Sequence, residues 1–115
     1  MLSIRVAKTE NGYVKGLPAA DPRITSFKGI PFAAPPVGEL RWKAPQPAKD
    51  WEGVLEAYDY KPISMQAKPV IDVNNVYTRE WTIDPDIEMS EDCLYLNIWT
   101  PAVSPDEKLP VYVWY

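Results

Sequence analysis

The residues with chemical capacity gather in one stretch, Ser90 to Pro101, which reads S-E-D-C-L-Y-L-N-I-W-T-P. It holds two adjacent carboxylates, Glu91 and Asp92, and the only cysteine of the chain, Cys93. Such a group suggests acid–base work, metal binding or a thiol nucleophile. The chain contains no histidine, which removes the commonest general base and metal ligand. A Ser-His-Asp or Cys-His device therefore cannot be assembled from these residues alone. One cysteine forms no internal disulfide, and no Cys/His cluster exists to hold zinc. No catalytic residue, metal or cofactor is expected within the chain.

The element that must position these groups is a strand. Leu94, Leu96 and Ile98 fall on one face of an extended chain, and Tyr95, Asn97 and Trp99 on the other. Both faces are largely apolar, which predicts burial on both sides, as in the interior of an α/β sheet. Glu91 at the mouth of such a strand demands a partner, because an unpaired buried charge is costly.

The 115 residues suffice for one small domain, and 46% hydrophobic with 24% charged residues is the balance of a folded globule. Five Trp and seven Tyr predict aromatic packing, and thirteen Pro favour short strands joined by stiff turns. A net charge of −4 without a basic run argues against nucleic acid or an anionic membrane as partner. The N-terminus lacks the long apolar core and cleavage site of a secretory signal, and no apolar run is long enough to span a bilayer. With a lone thiol, this points to the cytoplasm rather than to a mature piece whose signal was removed.

In chain order, Ser3 to Lys8 alternates like a half-buried strand, and Asn11-Gly12 is a hairpin signal with Tyr13 to Leu17 returning. Ile24 to Phe27 adds a third strand ended by Gly29, so the first thirty residues read as an antiparallel meander. Gly29 to Gly38 holds three Pro and two Gly and must be extended. Its Ile30, Phe32 and Val37, continued by Leu40-Arg41-Trp42, are too apolar for a solvated linker and are expected to pack on a larger body. Trp51 to Ala57 reads as a further strand. Pro62 to Met89 has weak periodicity, the mark of a lid, rim or binding loop, with Val76, Tyr77 and Trp81 as apolar anchors. After a charged turn, Val111 to Tyr115 reads as a second apolar strand, which needs a cover. The organisation expected is 1–61 as a small sheet with a packed Pro-rich stretch, 62–90 as a loop and 91–115 as sheet strands.

Three ordered motifs make the chain resemble the type-B carboxylesterases, which include cholinesterases and para-nitrobenzyl esterases. F-K-G-I-P-F-A-A-P-P-V-G-E-L-R-W, from Phe27 to Trp42, is similar to the family's F-x-G-I-P-Y-A-x-P-P-x-G-x-x-R-[FW]. E-D-C-L-Y-L-N-I-W-T-P, from Glu91 to Pro101, matches a family signature, and L-P-V-Y-V-W, from Leu109 to Trp114, resembles the strand before the oxyanion loop. The resemblance implies the N-terminal part of an α/β-hydrolase, itself mostly β: a small antiparallel sheet plus the first strands of a large central sheet. It implies that oxyanion loop, nucleophile, acid and histidine all lie downstream.

Carried onto this sequence, the resemblance pairs Arg41 with Glu91, the partner the strand's mouth demands. The pair would be worth about 3–5 kcal/mol on breaking if buried, and about 0–1 kcal/mol as a rim pair. Secreted members bridge the cysteine of E-D-C to an earlier cysteine. Ser64 occupies that place here, which leaves Cys93 a free thiol and fits a bacterial-type intracellular member. The loop after Ser64 lines the substrate entrance in the family, which makes Trp81 and Tyr77 candidate substrate contacts. The function implied is one piece of a serine carboxylesterase acting on small-molecule esters. Its partner would be the remainder of the enzyme as another chain, or a second copy bound through Val111 to Tyr115. The alternatives are a non-catalytic cholinesterase-like interaction module and a truncated-gene fragment.

Overall fold

In a computed structural model of the chain, residues 2–68, 70–81 and 84–115 are described. The expected loop at 62–90 thus includes three positions, 69, 82 and 83, outside the described residues. Among the described residues, six short strands form two three-stranded sheets. β1 (Val6–Thr9), β2 (Gly12–Lys15) and β5 (Val54–Glu56) make one, in the order β1-β2-β5. β3 (Leu17–Pro18), β4 (Thr25–Pro31) and β6 (Tyr95–Thr100) make the other, in the order β3-β4-β6.

The expected meander is therefore divided. β1 and β2 do form an antiparallel hairpin, with Thr9 opposite Gly12 and Val6 opposite Lys15. Its turn is Glu10-Asn11, one residue earlier than the Asn-Gly signal suggests. The Thr9 hydroxyl closes it, donating to the Gly12 carbonyl at 2.8 Å and accepting from the Asn11 N–H at 3.2 Å. Gly12 is required for another reason: a Cβ there would lie 2.5 Å from the Trp51 indole nitrogen. That indole spans the hairpin and donates to the Tyr13 carbonyl at 2.8 Å. Beyond the hairpin β2 takes β5 as a parallel partner, Val14 opposite Leu55, while the antiparallel pairing continues in the second sheet, where β3 pairs with β4, Leu17 opposite Ser26.

β4 is the central strand of the second sheet and carries most of the core. Phe27 and Ile30 on β4 pack with Val14 of β2 and Ala57 after β5, flanked by Ala7, Trp51 and Leu55. The strand does not end at Gly29 as its sequence suggests. Gly29 sits at φ +75° in a register shift between Phe27 and Ile30, and the strand resumes to Pro31. The shift has the character of a glycine bulge. The Gly29 N–H, which the shift removes from the ladder, donates instead to the Asn97 side-chain oxygen at 2.9 Å.

Polar groups tie the chain start to β4. The fully buried Thr25 hydroxyl donates to the Ile4 carbonyl at 2.6 Å and bonds the buried Ser3 hydroxyl at 2.7 Å. The Arg5 guanidinium donates to Ser3, Thr25 and the Pro22 carbonyl. Buried polar atoms must be answered in this way or they destabilise the fold.

β6 differs from the expectation of an interior strand. It pairs antiparallel with β4, Phe27 opposite Ile98 and Ile30 opposite Leu96, and is outermost in its sheet. Leu96 and Ile98 continue the apolar face of Phe27 and Ile30, yet stay 36% and 43% exposed. The covering layer of Val14 and Ala57 reaches β4 and stops there. Val111 to Tyr115 forms no strand, and its side chains are exposed. An extended segment becomes a strand only by pairing, and no described strand pairs with it. The packing expected of the Pro-rich stretch is also partial: Ile30 and Ala33 are buried, whereas Phe32, Val37 and Trp42 face solvent.

The long loop is not structureless. Ile63 and Met89 form an isolated bridge at its base, reinforced by Ile63 N–H to the Glu88 carbonyl and Ser90 N–H to the Ile63 carbonyl. Within it lies α1 (Val76–Glu80), whose N-cap Asn75 accepts from the Tyr77 N–H at 3.0 Å. The cap residue was a readable signal. Val76, Tyr77 and Trp81 do not anchor the loop within this chain, since all are exposed.

The bulge yields a direct test. A Cβ at residue 29 would meet the Asp59 carbonyl at 2.7 Å on top of a positive φ. Gly29→Ala is expected to lower stability by about 1–3 kcal/mol, measured as a fall in the urea midpoint. A loss below a few tenths of a kcal/mol would show that the bulge tolerates a side chain.

Candidate functional site

The Pro-rich stretch and the mouth of β6 meet at a corner. A short 3₁₀ turn, Gly38–Leu40, reverses the chain after the prolines, and the Arg41 N–H closes it onto the Gly38 carbonyl at 3.1 Å. This points the Arg41 side chain at the segment before β6, where Arg41 Nη2 lies 2.7 Å from Glu91 Oε1. The two side chains remain 61% and 41% exposed, so within this chain the pair is a rim contact and not a buried one. In water-facing surroundings such a pair contributes about 0–1 kcal/mol.

Around the pair opens a shallow cavity of about 280 Å³, lined by Pro36, Arg41, Trp42, Ser64, Met65, Ser90, Glu91 and Cys93. Four of the six residues singled out from sequence thus meet at one place: Arg41, Glu91, Ser64 and Cys93. Cys93 is a free, half-buried thiol lining the same cavity as Ser64. Tyr77 and Trp81 do not line this cavity; they stand on and just after α1, on the clamped loop. Pro36, Trp42, Met65 and Ser90 were not singled out. Trp42 had a readable signal, since it follows Arg41 directly; Met65 is brought in only by the Ile63–Met89 clamp.

The chemical capacity of the corner is limited. Arg41 and Glu91 answer each other, and no group of three or more His, Cys, Asp or Glu that could hold a metal is present among the described residues. Asp92 instead faces Tyr95. Burial raises the Tyr95 phenol above its ordinary value of 10.0, and the neighbouring Asp92 carboxylate adds to the rise. Asp21, whose carboxylate is brought down to about 2 by hydrogen bonds from Arg23, lies in the turn before β4 and lines no part of the cavity. The corner is a clamp between two chain segments and offers no nucleophile–base pair.

Residues 3–115 match the family model described as Carboxylesterase family. The chain is 44% identical to an acetylcholinesterase of Bungarus fasciatus over 108 residues, covering 92% of this chain and 17% of that one. It is 38% identical to carboxylesterase 1E of Rattus norvegicus over 117 residues, covering 97% of this chain and 21% of the relative. The crystal structure of a Geobacillus stearothermophilus carboxylesterase superposes with a TM-score of 0.65 at 36% identity, over 88% of this chain and 17% of that one. The chain therefore spans about one-fifth of the length of these relatives.

Two measurements check the corner. In a double-mutant cycle on the chain, Arg41→Ala and Glu91→Ala are expected to couple by no more than about 1 kcal/mol; a coupling of about 3 kcal/mol or more would show a desolvated pair. For Tyr95 the sign follows from its raised folded value. Folding favours the neutral phenol, so its contribution is complete below the ordinary phenol pKa and is lost as pH rises through the folded value. Stability should fall with pH above about 10, and Tyr95→Phe should remove that part of the loss; an identical alkaline profile in the variant would show that Tyr95 does not contribute.

Proposed function

Because the chain belongs to the carboxylesterase family, we propose that it forms the N-terminal structural part of a serine carboxylesterase. Its catalytic nucleophile, histidine and oxyanion hole would come from polypeptide outside these 115 residues. The observation that carries this reading is a family match over residues 3–115 in a chain with no histidine. In the whole enzyme a serine hydroxyl attacks the ester carbonyl, the alcohol leaves, and water then releases the acid from the acyl-enzyme. The chain's own part is positional. The Arg41–Glu91 clamp holds the Pro-rich segment to the mouth of β6. The loop closed by Ile63 and Met89 projects Tyr77 and Trp81 outward, where they would meet the substrate at its entrance.

The free thiol, with Ser64 lining the same cavity, supports a reducing, cytoplasmic setting for the enzyme. No helix among the described residues is long and apolar enough to cross a membrane. The exposed Val111 to Tyr115 segment favours a cover from the rest of the enzyme, with a second copy of the chain as the competing occupant.

The chain alone is expected to give no turnover of a chromogenic short-chain ester. Mixed or fused with a polypeptide carrying an H-G-G-G loop, a G-x-S-x-G elbow and a histidine, it should hydrolyse the ester, and a serine-reactive organophosphate should abolish the rate. Turnover by the pure chain would overturn the argument from the missing histidine. Failure of every such combination would favour a non-catalytic module.

A further inference from the structure

Asn11 is bonded more heavily than a hairpin turn requires. Its side-chain amide donates to the Asp50 carboxylate at 2.9 Å and to the Ala48 carbonyl at 3.2 Å. Its backbone carbonyl accepts from the Trp51 N–H at 2.9 Å, and its own N–H donates to the Thr9 hydroxyl. The turn is thereby stapled to residues 48–51, which lead into β5. The next residue is fixed as firmly. Gly12 stands at φ +148° with the Trp51 indole against its α-carbon, so no side chain fits there. Together the two demands place a glycine directly after an asparagine, and that dipeptide has a chemistry of its own. With no Cβ on the glycine, little obstructs the approach of its backbone nitrogen to the asparagine side-chain carbonyl carbon. Asparagine is a thermolabile residue for reasons of this kind.

We propose that Asn11 is a self-modification site, deamidating through a cyclic imide, and that the staple to Ala48 and Asp50 both restrains this reaction and is undone by it. In the first step the Gly12 nitrogen bonds to Asn11 Cγ and the Cγ–Nδ2 bond breaks. Nδ2 leaves as ammonia, taking the proton that the Gly12 nitrogen gives up. Water then opens the ring at either of its carbonyls, giving aspartate or isoaspartate, with no change of oxidation state. Ring closure turns Cγ onto the Gly12 nitrogen and so pulls the amide from both of its acceptors, which is why the staple slows it. In the product a carboxylate replaces the amide donor and faces the Ala48 carbonyl and the Asp50 carboxylate. Acceptor then meets acceptor, and like charge meets like charge. Isoaspartate also adds a methylene to the backbone of a turn whose register sets Thr9 opposite Gly12. Modification therefore releases residues 48–51 from the hairpin and loosens the approach to β5. Every contact invoked lies within this chain, so the inference stands apart from the esterase reading.

The test is a time course of the chain kept warm at neutral pH, folded and in urea, with each asparagine followed by peptide mapping and mass spectrometry. In urea Asn11 is expected to convert before Asn74, Asn75 and Asn97, whose successors Asn75, Val76 and Ile98 all carry side chains. In the folded chain Asn11 should convert more slowly by an order of magnitude or more, and Asp50→Ala should recover much of the difference. No conversion at Asn11 in urea would remove the site. Equal rates folded and in urea, or a folded rate that Asp50→Ala leaves unchanged, would overturn the restraint. The consequence is read separately. Asn11→Asp should lower the urea midpoint, and adding Asp50→Asn, which puts a donor where the carboxylate stood, should restore part of it. A midpoint that Asn11→Asp does not move, or that Asp50→Asn does not raise again, would overturn the loosening. The comparison of folded and unfolded rates uses the unaltered sequence, so it decides the matter even where a variant fails to fold.

Discussion

The antiparallel pairing of β4 with β6, locked by Asn97 into the bulge at Gly29, is the constraint on which the rest of the structure depends. It joins residues 68 positions apart in the chain. Closing so long a loop costs conformational entropy that only a strong set of contacts can offset. The ladder supplies backbone bonds, and Phe27 and Ile30 supply apolar burial against Val14 and Ala57. The bulge matters because it re-aims the strand. Without it the residues after Gly29 would continue the register set at Phe27, and Ile30 would not meet Leu96. With it, the strand delivers the prolines to the side on which Arg41 reaches Glu91.

The energetic character of the corner follows from where the core stops. The cover over β4 ends before β6, so Leu96 and Ile98 remain partly wet beside buried neighbours. The same open solvent that wets them screens the Arg41–Glu91 pair. Its worth is therefore not a property of the two side chains. It depends on the dielectric set by whatever packs over the corner, and the pair passes from a weak rim contact to a costly one to break as water is excluded. The buried Ser3–Arg5–Thr25 network shows the contrast, since there the polar atoms are answered inside the chain itself.

Much of the architecture was legible because it is written in local chemistry. Alternation marked β1, apolar strand-like runs marked β5 and β6, and the proline run between Gly29 and Gly38 excluded helix. The Arg41–Glu91 contact was reached through motif resemblance, since a separation of fifty positions leaves no local trace of it. What was not legible is tertiary. The parallel pairing of β2 with β5 has no signal in either strand, and the hairpin turn moved by one residue because Thr9 and Trp51, not Asn11, decide it. Reading two apolar faces as burial on both sides was sound for the residue types of β6. It failed for this chain because burial needs a second layer, which the sequence of the strand cannot reveal.

The residues that carry a family signature can be structural rather than reactive, and those from Glu91 to Pro101 illustrate how. The most distinctive residues, from Glu91 to Pro101, hold a bulge, an ion pair, a free thiol and a ladder in place, and none sits in a nucleophile–base arrangement. Their constraint is geometric. Asn97 must reach the Gly29 N–H, and Glu91 must meet a guanidinium delivered by a turn fifty residues earlier, so few other residues satisfy both ends at once. Glu91, which first suggests chemistry, is better explained as the means by which one sheet edge is joined to a stiff proline segment, while Asp92 faces Tyr95 and Cys93 stays a free thiol.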